Sequence, residues 1–266
     1  MKKKTIITFL ITVIILLIIL MPKTVHAAEE DLLFSDDITW EWEYFSEEET
    51  DTMAYGIMIP SNADKFEEIP MIVTLHGWGG YAPSEEDIRT SGLPRLFTEW
   101  ELENFSAYIL CPRNPRRDCK FNVTEIINKV QDLIDYVIEE YNVDADNIII
   151  HGESRGGTGA LALASALPDY FSKCVAASAY NPCMALNTSM DTLCFYSWYA
   201  DSASKFGKTL EDVFGKERVF ANNAGHGSVG WCYFQLDGGE LADARNRRRT
   251  AMVDLTSLSG CSKIVR

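Results

Sequence analysis

The stretch that most constrains this chain is residues 147–157, Asn-Ile-Ile-Ile-His-Gly-Glu-Ser-Arg-Gly-Gly. A β-branched run ends in a Gly-x-Ser-x-Gly turn centred on Ser154, and small residues from Gly157 to Leu167 follow at helix length. Ile148 to Ile150 read as a buried parallel strand and the later run as a closely packed helix. Glycines at 152 and 156 suit a sharp strand-to-helix reversal, where backbones approach closely and the central residue takes a strained conformation. A helix that starts there aims its first amides at the space beside Ser154 and so favours negative charge in that place. The same residues would also suit a glycine-rich connection with no chemistry.

Residues 70–80, Pro-Met-Ile-Val-Thr-Leu-His-Gly-Trp-Gly-Gly, repeat the logic, with an apolar strand running into a glycine-rich turn. Two preorganised backbone amides can stabilise a carbonyl oxygen as it becomes negative. The spacing assigns that role to the amide of Trp78, beside Gly77, and to the amide of Arg155, directly after Ser154. A tight turn with glycines for steric reasons alone is the rival reading.

Lys2, Lys3 and Lys4, then an apolar run from Ile6 to Met21, Pro22 and Val25-His26-Ala27, have the three-part form of a secretory signal. Residues 1–27 are therefore expected to be removed, leaving an extracellular protein; an uncleaved N-terminal anchor with the domain outside is the alternative. Removal takes away four lysines and no acids, so the net charge moves from −15 to −19. So acidic a surface argues against nucleic acid and against stable membrane association after cleavage. Seven cysteines fall beyond residue 27, at 111, 119, 174, 183, 194, 232 and 261. An oxidising compartment permits bridges, with Cys111–Cys119 the first candidate pair and buried free thiols the alternative. Their spacing suggests no metal site, and no cofactor is expected.

Along the chain, residues 38–45 alternate so that Ile38, Trp40, Trp42 and Tyr44 share one face, and with a strand over 52–60 they predict an antiparallel hairpin. The aromatic row suits core packing, or else a sugar chain. A strand at 106–111 leads to Arg113, Arg116 and Arg117, which are expected to pair with surface carboxylates. Val123, Ile126, Ile127, Val130, Leu133, Ile134, Val137 and Ile138 repeat at helical spacing over 122–141, with Asn122 as cap. Further strands are expected at 174–179, 193–199 and 218–221. The dozen residues from Tyr180 to Asp191 leave little room for an inserted cap domain.

A serine hydroxyl needs a base within hydrogen-bond reach, and that base needs a carboxylate to fix its tautomer. His226, flanked by glycines after the last predicted strand, and Asp201, at the end of the strand before it, supply these parts in the order Ser154, Asp201, His226. Asp191, Glu211 and Asp212 are also downstream, but Asp201 directly follows a strongly apolar run.

On His76-Gly77-Trp78-Gly79-Gly80, Gly152-Glu153-Ser154-Arg155-Gly156, Asp201 and Gly225-His226-Gly227, the chain resembles the α/β-hydrolase superfamily over residues 38–236. Within it, the chain is similar to secreted, cap-poor esterases of the polyhydroxybutyrate-depolymerase and feruloyl-esterase type. The resemblance implies an α/β-hydrolase fold with a mostly parallel, doubly wound sheet, an N-terminal antiparallel hairpin and little or no cap. It also implies acyl transfer to Ser154 from an ester substrate and hydrolysis by water activated through His226, while the short stretch from Tyr180 to Asp191 implies an open site suited to polymers. The expected organisation is a signal at 1–27, a catalytic domain at 28–240 and a basic tail at 241–266, where six Lys/Arg stand against two acids. Two other readings stay open: a prolyl-peptidase-like serine peptidase, and a non-catalytic polysaccharide-binding module built on Trp40 and Trp42.

Overall fold

The structure, a computed structural model, describes residues 38–50, 52–77, 82–94, 106–114, 116, 120–179, 190–197, 209–216, 218–222 and 263–264. Its strands are β1 (Trp40–Phe45), β2 (Tyr55–Pro60), β3 (Phe66–Leu75), β4 (Tyr108–Pro112), β5 (Val143–Glu153), β6 (Lys173–Ala177), β7 (Asp191–Ser197), β8 (Val219–Asn222) and β9 (Lys263–Ile264). The helices are α1 (Glu47–Thr50), α2 (Glu85–Arg89), α3 (Thr124–Glu140) and α4 (Arg155–Ala166), with a further turn of helix over 209–214.

One sheet runs in the order β1-β2-β4-β3-β5-β6-β7-β8. It is parallel from β4 to β8, while β1 pairs antiparallel with β2 and β2 with β4. The predicted hairpin is therefore present, as an edge on an otherwise parallel sheet. Strand order reverses at β3, whose successor β4 lies on one side and β5 on the other, so a crevice opens at the carboxyl ends of β3 and β5. Only residues 178–190 join β6 to β7, too few for an inserted domain.

Strand alternation divides the buried residues between two faces. Met71, Val73 and Leu75 of β3, Tyr108 and Leu110 of β4, Ile148 and Ile150 of β5, and Cys174 and Ala176 of β6 join one cluster with the apolar stripe of α3 and with Leu161 and Leu163 of α4. Their partners on the other face, Ile72, Thr74, Ile109, Cys111, Ile149 and His151, are buried as well. On that face Ile88 of α2 and Ser91 lie around Thr74, His76 and Cys111. Helices on both faces give the doubly wound arrangement.

Three expectations are corrected. Helix α3 begins at Thr124, with Val123 in extended backbone at the cap position and no side-chain cap hydrogen bond. Lys120, whose carbonyl accepts the Val123 N–H, begins a turn that leaves Asn122 one residue short of the capping position. Cys111 is a free buried thiol, so no bridge to Cys119 forms; it lies among Thr74, His76 and Ile88 on the inner side of the sheet, and Cys119 lies outside the described residues. Arg113 binds backbone carbonyls and a tyrosine rather than a carboxylate, although Arg116 does pair with Glu125 at 2.6 Å. Within the basic tail, Lys263 and Ile264 pair antiparallel with Glu68 and Phe66 at the start of β3.

The aromatic row of β1 is packing surface. Trp42 lies over Gly56 so closely that a Cβ there would meet the ring at 2.2 Å, and its indole N–H donates to Glu85 Oε1 at 2.8 Å. Phe45 stacks on buried Tyr55 with ring centroids 4.9 Å apart. Glu41 is exposed, as the alternation predicts.

Candidate functional site

At the carboxyl end of β5 the chain turns into α4 through Ser154, whose φ of 56° and ψ of −114° are sparsely populated for an L-residue. Such a conformation costs about 1–3 kcal/mol and survives only where its surroundings dictate it. Here the surroundings are backbone. Ser154 N–H donates to Ala177 O of β6 at 2.7 Å, and Thr158 N–H of α4 donates to Ser154 O at 3.1 Å. The flanking glycines allow α4 to sit against the sheet: a Cβ on Gly152 would lie 2.2 Å from Gly156 O, and one on Gly156 would lie 2.0 Å from Leu75 O. No side chain fits either place, which gives the Gly-x-Ser-x-Gly spacing its steric reason.

Arg155 is the first residue of α4, the position from which helix amides point beyond the helix N-terminus. Across the crevice, the turn leaving β3 packs directly on the serine, because a Cβ on Gly77 would sit 3.5 Å from Ser154 Cβ and 3.3 Å from Glu153 O. The structure thus brings Ser154, Arg155 and Gly77 together at the sheet's switch point. Trp78 follows Gly77 and lies outside the described residues, as do Asp201, four positions past the end of β7, and His226, four past the end of β8.

Two histidines beneath the site are structural. His76 is buried, and Asn114 N–H donates to its Nε2 at 3.2 Å, so that nitrogen carries the lone pair and Nδ1–H faces Gly77 O at 3.4 Å. Burial pushes its pKa down to about 4, with the Arg113 charge acting the same way and the Gly77 carbonyl and Asp87 opposing. His151 is buried on β5, with Nδ1 2.8 Å from Thr74 Oγ1, and burial lowers its pKa to about 3. Both rings are neutral at physiological pH and stay neutral well below it, so neither is a pH-7 acid–base group. Sequence reasoning placed His76 in the glycine-rich turn but missed its tie to Asn114, a contact 38 positions away that no local pattern announces.

Residues 113–240 match the Esterase family model, described as "Putative esterase". No curated protein matches the chain. Among solved structures, a thermostable esterase is 17% identical with a TM-score of 0.50, over 72% of this chain and 58% of that one, so the chain spans little more than half of its length. The S-formylglutathione hydrolase of Staphylococcus aureus is 14% identical with a TM-score of 0.52, over 73% and 92%. A feruloyl esterase module from Clostridium thermocellum is 11% identical with a TM-score of 0.51, over 76% and 86%. At such identities the likeness is one of fold. Residues 113–240, just under half of the chain, thus match an esterase family model, on a chain whose fold is that of these α/β-hydrolase esterases.

Proposed function

We propose that the chain is a serine hydrolase that cleaves carboxylic esters through an acyl-enzyme on Ser154. The observation that carries this reading is the left-handed Ser154 at the β5–α4 junction, at the switch point where ligands of open α/β sheets bind. In this mechanism His226, oriented by Asp201, takes the Ser154 proton while Oγ bonds to the ester carbon. The amides of Trp78 and Arg155 receive the resulting oxyanion. The C–O bond to the alcohol then breaks, and the alcohol leaves with the proton from His226. Water, deprotonated by the same imidazole, adds to the acyl carbon, and Ser154 departs with its proton restored.

The matched family, the fold and the short β6–β7 connection support an open site for esters on extracellular polymers or conjugates. In this reading residues 1–27 are a secretory signal, 28–240 the catalytic domain and 241–266 a basic tail. No helix among the described residues is long and apolar enough to cross a membrane. The test is turnover of p-nitrophenyl acetate together with labelling by a fluorophosphonate. The wild type is expected to hydrolyse the ester and to be labelled on Ser154, and Ser154→Ala to lose nearly all turnover. The rate should rise as a histidine of pKa about 6.5 loses its proton. Full turnover by Ser154→Ala would refute the reading, and faster cleavage of peptide than of ester substrates would move it to a peptidase.

A further inference from the structure

Residues 113 and 114, immediately after β4, grip both flanks of the glycine-rich stretch that follows β3. On one flank, buried Asn114 donates its N–H to His76 Nε2 at 3.2 Å, and His76 adjoins the Gly77 backbone packed on Ser154. On the other, Asn114 O accepts the Ala82 N–H at 2.8 Å. Arg113 completes this second grip with its whole guanidinium. Nε donates to Ala82 O at 3.1 Å, Nη2 to Pro83 O at 2.7 Å and Nη1 to Tyr44 Oη at 2.9 Å. Its own backbone N–H is fixed to Ala54 O at 2.8 Å, just ahead of β2.

We propose that Arg113 is a positioning residue for ester hydrolysis, holding the Ala82–Pro83 end of the turn that packs on Ser154, and that Tyr44 of β1 orients its guanidinium. The inference rests on the reading that this turn supplies an oxyanion donor. Three considerations favour it over a surface cation that happens to lie near carbonyls. Among the described residues Arg113 makes no ion pair, and all three of its hydrogen-bonding nitrogens are used on neutral oxygens. The described flanks, His76–Gly77 and Ala82–Pro83, are both held by hydrogen bonds to residues 113 and 114, and oxyanion donors work by being in place before charge develops. A planar fork can serve three acceptors in fixed directions, which a lysine ammonium on a flexible stem cannot. The N-terminal hairpin thereby acquires a part in the reaction: Tyr44 reaches the site's framework through one guanidinium.

The experiment compares Arg113→Ala, Arg113→Lys and Tyr44→Phe in the full chain, reading kcat and KM on p-nitrophenyl acetate, affinity for phenylboronic acid as a tetrahedral mimic, and urea stability. Arg113→Ala is expected to lower kcat by about 10- to 100-fold, less than the roughly 100- to 1,000-fold lost when an oxyanion donor is removed outright, with KM nearly unchanged. Boronate affinity should fall in parallel, Arg113→Lys should not rescue, and added guanidinium should restore part of the rate. Tyr44→Phe should move kcat and boronate affinity in the same direction by a few-fold. A folded Arg113→Ala protein with wild-type kcat, or one that loses rate without losing boronate affinity, overturns the proposal. Should Arg113→Ala not fold, Tyr44→Phe decides, and unchanged kcat and boronate affinity in that variant overturn it. Fluorophosphonate labelling separates the two levels: a wild type that does not label on Ser154 defeats the esterase reading itself, whereas a labelled wild type with an unimpaired Arg113→Ala defeats only this inference.

Discussion

Lowering the pH to 5 should strip this fold of a large share of its stability, through two side chains that never touch substrate. His76 and His151 are buried, with pKa values pushed down to about 4 and about 3, against 6.5 for an unperturbed imidazole. Both folded values lie below the unfolded one, so below about pH 6.5 the unfolded chain binds protons that the native one refuses. The native state is then favoured above pH 6.5, and stability falls with pH until each folded pKa is passed. At pH 5 an unfolded histidine is almost fully protonated and both native rings are almost fully neutral, which costs about 2 kcal/mol per residue, or about 4 kcal/mol for the pair, relative to pH 8. That is a large part of the 5–15 kcal/mol typical of a folded domain. Carboxylates add little in this window, since their ordinary pKa values lie below it. Urea unfolding followed by circular dichroism at pH 8, 6 and 5 measures the loss, and His151→Gln, which keeps a hydrogen-bonding group near Thr74, should halve it. A loss below about 1 kcal/mol between pH 8 and 5, or an undiminished one in His151→Gln, would show that these rings are solvated or already charged in the native state.

Two further substitutions test the framework. Gly156→Ala places a Cβ 2.0 Å from Leu75 O and 2.8 Å from His76 O, backbone atoms of the central strand and its exit. Because neither can yield like a side chain, the cost should reach or exceed the upper end of the roughly 1–3 kcal/mol of ordinary overpacking, and a thermal melt at the wild-type midpoint would contradict that packing. At the start of α3, Val123 is 38% exposed at a cap position with φ of −97° and ψ of 135°. Val123→Asp should stabilise the protein by about 1 kcal/mol, raising Tm by a few degrees, and a lower Tm would mean that the valine packs in a way its exposure does not suggest.

The features legible in the sequence were those with a local physical cause. The strand–turn–helix around Ser154, the hairpin of β1 and β2 and the stripe of α3 each follow from a period or a turn residue, and each stands within a few positions of its expected bounds. The glycines of the elbow could be read because their cause, close backbone approach, leaves a mark in composition. What escaped depends on partners distant in sequence. Arg113 looked like a surface cation because nothing in residues 112–118 reveals that Ala82, Pro83 and Tyr44 will arrive around its side chain. Cys111 looked ready to bridge Cys119 across a short loop, yet its place in β4 buries it beneath α2 beside Thr74 and His76. Asn122 has the chemistry of a cap, but the turn from Lys120 to Val123 decides where the first helical residue falls.

The same contrast explains why the strain at Ser154 can persist. A residue at φ 56° would relax if either neighbour could move, and the structure leaves neither free to do so. Below it, β5 is locked between β3 and β6 in parallel register, Leu75 beside Gly152 and Gly152 beside Ala176. Above it, α4 cannot slide, because Gly156 fills the contact with Leu75 and a Cβ on Gly157 would already be 2.4 Å from Ala177 O. Ala177 is also the acceptor for the Ser154 N–H, so one residue of β6 sets both the approach of the helix and the backbone of the serine. Any change that lets α4 rise off the sheet therefore relaxes the serine at the same time. Stability and the presentation of that hydroxyl are coupled through backbone contacts alone, before any base or substrate arrives.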